Sequence, residues 1–366
     1  MSSRPARVAF FSVVPSPYQR DLFAALSRRP ELDACVFYLE AAAPDSPWPE
    51  KPLASYEQIL PGKWFALGSA RCHVNWKLPS LRDFDLVVMN TLMSVTAQRL
   101  MRGSLRRKQW LFWGERLRAR GANLRQHFHD ALCAPLHRAS GIVSIGSLAQ
   151  RDYSTRFPEP QHFCIPYHCE LAPFMNSPRA KKHENETVFL FCGQMIARKG
   201  VDILLEAFSS AAAKHPRARL LLVGREAELG AMLARMPQEA RRRVTYAGFQ
   251  PPEALPEFFA KADVFVLPSR YDGWGVVVNQ ALGAGLPIIC SDAVGAAHDL
   301  IREEINGVKF HAGDAVALAQ AMERLAGQPE LCARWGAASR ERAAEWTPER
   351  GAEKWVETIQ TALNSK

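Results

Sequence analysis

The sequence predicts an α/β protein built from two Rossmann-like domains, each a doubly wound parallel sheet. The chain has 366 residues, about twice the usual size of one domain. Short and nearly continuous apolar runs alternate with amphipathic segments, which is typical of strands that are covered by helices on both faces. A polar stretch that contains two prolines, residues 171–187, interrupts this alternation, which then starts again.

The first half has the pattern of one such domain. The predicted helices are residues 20–28 and 95–102. We expect an N-terminal domain over residues 1–172 and a linker over residues 173–187. The predicted strands of this domain are residues 8–14, 34–39, 86–89, 110–113 and 142–145.

The second half repeats the pattern, and we expect a C-terminal domain over residues 188–346. Residues 347–366 are predicted to form a last helix that packs back on the N-terminal domain, because Trp355, Ile359 and Leu363 recur at a spacing of four. The predicted strands of the second domain are residues 188–192, 220–223, 244–246, 264–267 and 288–290.

Composition excludes several classes of protein. No apolar run reaches the roughly 18 residues of a membrane-spanning helix, and the run at residues 8–14 is shorter than the core of a signal peptide. The eight cysteines contain no CxxC pair and are expected to be reduced. These features favour a cytoplasmic protein.

The formal net charge is +9, and its basic residues are concentrated in residues 99–125, which contain nine Lys and Arg against the single acid Glu115. Such a region attracts phosphate groups or is simply a solvated helical face. No motif of nucleic-acid binding accompanies the charge, so nucleic acid is not an expected partner. We expect the region from Arg99 to Arg125 to make peripheral contact with an anionic membrane, at its inner face.

The most informative segment is residues 263–290, DVFVLPSRYDGWGVVVNQALGAGLPIIC. A buried strand is followed by a loop and then by a helix that starts near Val276. Ligands of parallel α/β sheets bind at such loops, and the first backbone N–H groups of the helix suit a phosphate. Gly273 and Gly275 allow the backbone to approach a ligand closely.

This segment resembles the retaining glycosyltransferases of family 4, whose pattern is EGFGLxxLEAMAxGxPVI; here it is DGWGVVVNQALGAGLPII from Asp272 onwards. The resemblance implies the glycosyltransferase B (GT-B) fold, in which two such domains face a central cleft. It assigns Asp272 to the donor sugar hydroxyls and Gln280 to the nucleotide ribose. The donor-binding residues that it implies along this loop and helix are Gly273, Trp274, Gly275, Val276, Val277 and Gln280.

Both acidic positions of the family pattern are changed. Asp272 keeps the charge on a shorter side chain, whereas Gln280 loses the charge. A charge-assisted hydrogen bond is roughly twice as strong as a neutral one, so we expect weaker ribose binding. The changes also leave open an alternative, a non-catalytic relative that binds a nucleotide sugar or a partner enzyme.

Residues 189–208, FLFCGQMIARKGVDILLEAF, resemble the family segment G-R-x-x-x-x-K-G, which begins here at Gly193. Lys199 matches the family lysine that grips the donor pyrophosphate, and Arg198 replaces the arginine that is absent at Gln194. Fixed cations stabilise the charge that develops on a leaving phosphate. The alternative is an ordinary surface Arg-Lys pair.

Other matches are weaker. The segment VTYAGF at residues 244–249 corresponds to the family loop that faces the nucleotide base, so Phe249 and Gln250 are candidate base contacts, unless Phe249 belongs to the core. In the first half, Tyr18 and Arg20 are predicted to line the cleft, and Glu115 stands near the position where many relatives carry a histidine.

Together these residues predict a retaining, hexosyltransferase-like glycosyltransferase of cell-envelope polysaccharide synthesis, with Asp272, Arg198 and Lys199 as catalytic residues. The expected donor is a UDP- or GDP-linked sugar, and the expected acceptor is a glycan, a lipid-linked molecule or a small molecule. No cofactor or metal is expected, because Asp83 and Asp85 of the D-x-D triplet precede a strand. A nicotinamide-dependent oxidoreductase is disfavoured, since no G-x-G-x-x-G turn follows either first strand.

Overall fold

The computed structural model describes residues 4–42, 51–67, 70–117, 124–178 and 186–365. The chain divides into two compact units: unit 1 consists of Met1–Cys169 together with Pro348–Lys366, and unit 2 of Glu170–Thr347. Each unit has its own parallel sheet, which confirms the predicted fold class of two parallel-sheet α/β domains.

Unit 1 contains, in its described residues, a seven-stranded parallel sheet in the order β3-β2-β1-β6-β7-β8-β9. The order reverses between β1 and β6, which are hydrogen-bonded neighbours. The strands of the sheet are β1 (Ala6–Ser12), β2 (Leu32–Tyr38), β3 (Glu57–Ile59), β6 (Leu86–Met89), β7 (Trp110–Gly114), β8 (Gly141–Ser144) and β9 (Gln161–Cys164).

A separate antiparallel hairpin in unit 1 pairs β4 (Gly62–Leu67) with β5 (Ala70–Asn75). The last helix of the chain packs on this unit, where the Trp355 ring lies 5.5 Å from that of Phe10 on β1. The helices of unit 1 are α1 (Pro17–Ser27), α2 (Val95–Arg102), α3 (Leu124–Cys133), α4 (Ser147–Arg156) and α14 (Pro348–Asn364), with 3₁₀ turns at Ser104–Arg107 and Ala134–Arg138.

Unit 2 contains a six-stranded parallel sheet in the order β12-β11-β10-β13-β14-β15, which reverses between β10 and β13. Its strands are β10 (Thr187–Cys192), β11 (Ala218–Val223), β12 (Val244–Tyr246), β13 (Val264–Leu267), β14 (Ile288–Ser291) and β15 (Gly307–Phe310).

The helices of unit 2 cover this sheet, and the buried aliphatic residues of β10, β13 and β14 form its core. Two 3₁₀ turns lie at Ala197–Lys199 and Ala344–Trp346. The helices are α5 (Ala172–Asn176), α6 (Val201–Lys214), α7 (Leu229–Leu233), α8 (Gln238–Arg241), α9 (Leu255–Ala260), α10 (Val277–Gly283), α11 (Gly295–Leu300), α12 (Ala315–Ala326) and α13 (Pro329–Ala343).

The boundaries differ from the predicted ones in one place. Unit 2 begins at Glu170, and Ala172–Asn176 at the start of the predicted linker forms a helix, α5, that packs against α9 and α10. The remaining part of the predicted linker falls largely on residues 179–185, which lie outside the described residues. In the part of the chain that the structure describes, no helix combines the length and the apolar character needed to cross a bilayer.

Candidate functional site

The predicted cationic and acidic residues of unit 2 lie at the reversal of its strand order. The loop after β10 and the loop after β13 leave the same edge of the sheet from adjacent parallel strands. The crevice at such a reversal is where open α/β sheets bind ligands. Both glycine-containing segments found in the sequence therefore meet at one place.

Gly200 allows the two loops to touch. Its φ is +73°, and a Cβ atom at this position would lie 2.0 Å from the carbonyl oxygen of Pro268. The contact continues in the backbone, since the Arg270 N–H donates to the Arg198 carbonyl oxygen over 2.9 Å. Any other residue at position 200 would push the loops apart.

Lys199 and Asp272 form an ion pair across this junction. The Lys199 Nζ lies 2.5 Å from the Asp272 Oδ2, and the two side chains are 17% and 13% exposed. The sequence assigned one residue to the pyrophosphate and the other to the sugar, whereas the structure joins them. A lysine ammonium has three donor hydrogens, so Lys199 can hold Asp272 and still donate to a phosphate.

Two buried thiols flank the ion pair. Burial raises the pKa of Cys192 to about 12 and that of Cys290 well above its ordinary value. Both thiols are therefore neutral near neutral pH, and neither is suited to act as a nucleophile.

Arg198 is exposed at the same junction, and its guanidinium donates to the Tyr271 carbonyl oxygen over 3.1 Å. The neighbouring Arg270 is engaged instead in a bidentate pair with Asp202, at 2.7 Å for each bond. Arg198 and Lys199 are thus the cations of the loop after β10, and Gln194, at the position of the family arginine, is exposed beside them.

The loop after β13 leads into α10 through Gly275, whose φ is +92°. A Cβ atom at Gly275 would lie 2.9 Å from the Val294 Cγ1, so this turn also requires glycine. The backbone N–H groups of Val276 and Val277, at the start of α10, have no acceptors within the helix. Gly273 packs closely against Gly295, because a Cβ atom at Gly295 would lie 2.3 Å from the Gly273 carbonyl oxygen.

Gln280 carries an unsatisfied acceptor. Its Oε1 atom is buried and has no hydrogen-bond partner among the described residues. Buried polar atoms are nearly always hydrogen-bonded in proteins, and an exception calls for an explanation. A hydroxyl group of a ligand would satisfy this oxygen.

Trp274 differs from the other predicted donor-binding residues. Its side chain is 1% exposed, its indole N–H donates to the Asn279 Oδ1 over 2.9 Å, and its ring lies 6.4 Å from that of Trp346. The Trp274 side chain is therefore a core residue that fixes the loop. Only the backbone atoms of Trp274 are therefore available for the predicted contact with the donor.

Phe249 and Gln250 follow β12, at the edge of the sheet and two strands away from β10. Phe249 is 44% exposed, so the alternative interpretation of this residue as core is wrong. The Gln250 side chain donates to the Ala247 carbonyl oxygen over 2.6 Å and stabilises its own loop. Gly193 directly follows β10, and a Cβ atom there would lie 4.0 Å from the Lys199 Cδ.

Unit 1 has a cavity of about 360 Å³ at its own reversal, after the ends of β1 and β6. Its polar floor is a hydrogen-bonded set of Ser12, Gln19 and Asn90. The Ser12 Oγ donates to the Gln19 Oε1 over 2.8 Å, and the Gln19 Nε2 donates to the Asn90 Oδ1 over 2.9 Å. The Asn90 Nδ2 in turn donates to the Trp113 carbonyl oxygen over 2.8 Å. Among the described lining residues there is no lysine or arginine.

Aromatic residues and one acidic residue complete the lining of this cavity, which includes Tyr18 and Glu115. The Tyr153 hydroxyl donates to the Glu115 carbonyl oxygen over 3.0 Å. Burial raises the pKa of the Tyr167 hydroxyl, which also interacts with Gln19 and Glu115. The Tyr167 hydroxyl is therefore neutral at neutral pH.

Arg20 is not among the residues that line this cavity. Its guanidinium forms a bidentate pair with the buried Glu57, at 2.8 and 2.6 Å, and the Tyr38 hydroxyl donates to the same carboxylate over 2.7 Å. Arg20 is thus a structural residue that neutralises a buried acid. The pKa of Glu57 lies below its ordinary value because its hydrogen bonds from Arg20, Ala54 and Tyr38 outweigh the opposing effect of burial.

The basic region from Arg99 to Arg125 is described in part, since Arg118, Arg120 and the Arg125 side chain lie outside the described residues. Arg99, Arg102, Arg106 and Arg107 are exposed.

Asp85 of the D-x-D triplet accepts hydrogen bonds from the Arg4 guanidinium and from the Arg7 N–H. Within the described ranges, no group of three or more His, Cys, Asp or Glu side chains is placed to hold a metal ion.

Comparison with known sequences supports the resemblance. Residues 175–342 match the family model of glycosyl transferases group 1. The chain is 28% identical over 144 residues to an uncharacterised glycosyltransferase of Methanocaldococcus jannaschii, covering 39% of this chain and 36% of that protein. It is also 28% identical over 186 residues to the D-inositol 3-phosphate glycosyltransferase of Streptomyces griseus, covering 48% of this chain and 39% of that protein. The matches thus span less than half of either relative.

Solved structures share the fold over nearly the whole chain. The sucrose-phosphate synthase of Thermosynechococcus elongatus superposes with a TM-score of 0.76 at 21% identity and covers 99% of this chain and 100% of that one. The Anabaena protein HepE, solved in complex with UDP, superposes with a TM-score of 0.73 at 16% identity and covers 97% and 100%. The two units therefore have the GT-B type of fold.

Proposed function

We propose that this chain is a retaining glycosyltransferase that moves a sugar from a nucleotide-sugar donor to an acceptor hydroxyl group. The observation that carries the proposal is the junction of unit 2, where Lys199, Arg198 and Asp272 meet at a strand-order reversal inside the segment that matches the group 1 family model. The relatives named above support transfer of a sugar as the type of reaction.

The donor diphosphate is proposed to lie against Lys199 and Arg198. As the bond between the sugar C1 and the diphosphate oxygen breaks, negative charge develops on the leaving phosphate, and fixed cations stabilise it. The acceptor oxygen attacks C1 from the same face, which retains the configuration, and its proton passes to the leaving phosphate oxygen. Because two side chains supply the positive charge, we propose that the reaction needs no metal and that a chelator leaves it unchanged.

The remaining donor groups have partners in the same unit. Asp272 can accept hydrogen bonds from sugar hydroxyls through the oxygen that does not face Lys199. The buried Gln280 Oε1 is proposed to accept from a ribose hydroxyl, and the exposed Phe249 ring to contact the nucleotide base. A UDP- or GDP-linked sugar is the proposed donor, in accord with HepE, which was solved with UDP.

The acceptor is proposed to occupy the cavity of unit 1. Its lining offers amides, neutral hydroxyls, aromatic rings and the Glu115 carboxylate. This set suits a ring that bears hydroxyl groups, since aromatic faces pack on its C–H surface while amides and carboxylates bind its hydroxyls. The absence of lysine and arginine from the described lining argues against a phosphate on the group that is bound there. We therefore propose an uncharged sugar or polyol as the acceptor moiety.

The proposed setting is cell-envelope glycan synthesis in the cytoplasm. All eight cysteines are free thiols, which is typical of proteins in a reducing compartment. Measuring fractionation and thiol reactivity in cells that express the tagged chain tests this setting.

The direct test of the proposed function is a thermal-shift screen against UDP-, GDP-, ADP- and dTDP-linked sugars. A ligand present at 100 times its dissociation constant stabilises a protein by about 2.7 kcal/mol, enough to raise Tm by several degrees. We expect one nucleotide class to do so and Lys199→Ala to lose the shift. If no nucleotide sugar stabilises the protein, the proposed function is wrong.

A further inference from the structure

The β4–β5 hairpin of unit 1 exposes large apolar side chains that its strands do not bury. Trp64 is 44% exposed, Phe65 48% and Val74 37%, and Trp76, directly after β5, is 61% exposed. The Trp76 N–H donates to the Pro61 carbonyl oxygen over 3.3 Å, which places Trp76 beside the start of β4. Clustered exposed aromatic residues mark a surface that contacts another molecule.

The exposed charged side chains beside these residues are lysines, whereas the nearby Glu40 carboxylate is 10% exposed and pairs with Arg71. Residues 61–77, PGKWFALGSARCHVNWK, contain no Asp or Glu. Lys63 and Lys77 are exposed, and Lys63 lies on the same face as Phe65 and Val74, because alternate residues and cross-strand partners share a face. We define the hairpin surface as Lys63, Phe65, Val74, Trp76 and the adjacent Lys77; Trp64 lies on the opposite face, where its cross-strand partner His73 is buried.

The hairpin is fastened firmly to unit 1, so the exposed rings are presented by a fixed element. The Asn75 side chain donates to the carbonyl oxygens of Leu39 and Leu60, over 3.0 and 3.1 Å, and the Asn75 N–H donates to the Thr96 Oγ1 over 2.8 Å. Arg71 pairs with Glu40 at 2.7 Å and places its guanidinium 4.0 Å from the centre of the Trp64 ring. The Trp64 ring is thus held in position while it remains half exposed.

We propose that the hairpin surface binds a lipid bilayer that carries anionic headgroups. Tryptophan is enriched at membrane interfaces, where its apolar ring enters the acyl boundary. Lysine side chains place their stems along the apolar layer and their ammonium groups among headgroup phosphates. A protein partner is less favoured by this composition, because lysine is depleted from the cores of protein interfaces. The hairpin surface shares no residue with the basic region of residues 99–125, and it does not depend on the proposed glycosyl transfer.

The experiment is co-sedimentation of the full chain with two kinds of vesicle, pure phosphatidylcholine and an equimolar mixture of phosphatidylcholine and phosphatidylglycerol. We expect binding to the mixed vesicles that weakens with added salt. The triple variant Phe65→Ala/Val74→Ala/Trp76→Ala should bind at least tenfold more weakly, and Lys63→Ala/Lys77→Ala about fivefold more weakly for each lysine removed. Unchanged Tm values establish that the variants are folded.

Matched controls separate the hairpin surface from other surfaces. Ile305→Ala/Val316→Ala removes two side chains of unit 2 that are 51% and 67% exposed, and Arg106→Ala/Arg107→Ala removes part of the basic region; neither should approach the loss of the triple variant. Trp76→Phe should keep binding while losing the quenching of tryptophan fluorescence by brominated lipids. The proposal is overturned if the native chain does not bind mixed vesicles, if the triple variant binds as well as the native chain, or if the Arg106/Arg107 variant accounts for the binding.

Discussion

The two sheets reverse their strand order at equivalent places, yet the chemistry there differs. In unit 2 a lysine, an arginine and an aspartate meet around conformationally special glycines. In unit 1 a cavity is lined by amides, hydroxyls and aromatic rings, without a lysine or arginine among its described lining residues. The fold determines where a ligand can bind, and the side chains determine its class. On this difference we base the assignment of the charged donor to unit 2 and of an uncharged acceptor to unit 1.

The largest effect is expected from Lys199→Ala. It removes a cation from the leaving diphosphate, and the loss of one such stabilising group costs about 100-fold or more in turnover. Tm should also fall, because the variant leaves the Asp272 carboxylate, 13% exposed, without its cationic partner; turnover is therefore compared at a temperature at which the variant is folded. Release of nucleoside diphosphate measures turnover.

The control for this variant is Lys214→Ala, in which the removed lysine is 65% exposed and pairs with Glu323. It should retain native turnover. Native turnover in Lys199→Ala would instead show that the diphosphate does not bind at this junction. The proposed contrast between the two units would then be wrong.

Gly200→Ala should destabilise unit 2 by about 2 kcal/mol or more, because a left-handed φ is costly for residues with a Cβ atom and that atom would lie 2.0 Å from the Pro268 carbonyl oxygen. Urea unfolding measures the change. Gly230→Ala is the matched control: a Cβ atom there meets nothing within 4 Å, so its stability should stay the same or rise. Equal stability of the two variants would show that the loops do not need this close contact.

Glu115→Gln tests the cavity of unit 1. It removes the negative charge of that lining and replaces charge-assisted hydrogen bonds with neutral ones, for an expected rise of about tenfold in the acceptor KM, equivalent to about 1.4 kcal/mol. The dissociation constant of the donor should not change. Steady-state kinetics with the acceptor varied, together with donor titration, separate the two. Weaker binding of the donor together with an unaltered acceptor KM would reverse our assignment of donor and acceptor to the two units.

A pH prediction concerns unit 1 alone. Burial lowers the pKa of His168 from its ordinary value of 6.5 to about 4, so the unfolded chain binds the proton more readily than the folded one. The resulting stability is complete above about pH 6.5 and is lost as pH falls toward 4, by at most about 1.4 kcal/mol for each pH unit. Urea unfolding at pH 7 and at pH 5.5 should show the loss in the native chain and a smaller one in His168→Asn. An equal loss in both would place the pH dependence elsewhere.

The smallest effect is expected from Gln280→Glu, which restores the acid of the family pattern. If the buried Oε1 meets the ribose, donor affinity should rise about threefold through a charge-assisted hydrogen bond. Donor titration by calorimetry measures it. A non-catalytic relative would bind the donor yet show no transfer or hydrolysis in either form, and that outcome would replace our proposed function.

Much of the fold could be predicted from the sequence because the central strands are uniformly apolar. Strands 86–89, 244–246 and 264–267 are found residue for residue. The strands that the sequence analysis missed lie outside these central runs: β9 is only partly buried at the sheet edge, β3 is three residues long with the charged Glu57, and the hairpin exposes its aromatic rings. Apolar periodicity reports burial, so it detects exposed strands less reliably, and the exposed edge strand 244–246 is an exception.

The candidate site was predictable in position and not in its contacts. Glycines and cations after two apolar strands located the junction, but the Lys199–Asp272 pair joins residues 73 positions apart, and it depends on β10 and β13 being neighbours. The polar floor of the unit 1 cavity has no pattern in the sequence, since Gln19 and Asn90 come from distant segments. Trp274 resembles a ligand contact in the motif, and burial alone identifies it as core.

Helix α14 has a consequence for how the protein is made. Because Pro348–Lys366 belongs to unit 1, the whole of unit 2 is inserted within the chain of unit 1. A ribosome releases every residue of unit 2 before it releases Trp355 and Ile359, which are fully buried in unit 1. Unit 2 can therefore complete its core during synthesis. In the first 169 residues, the apolar face that α14 covers stays exposed until that helix has been synthesised.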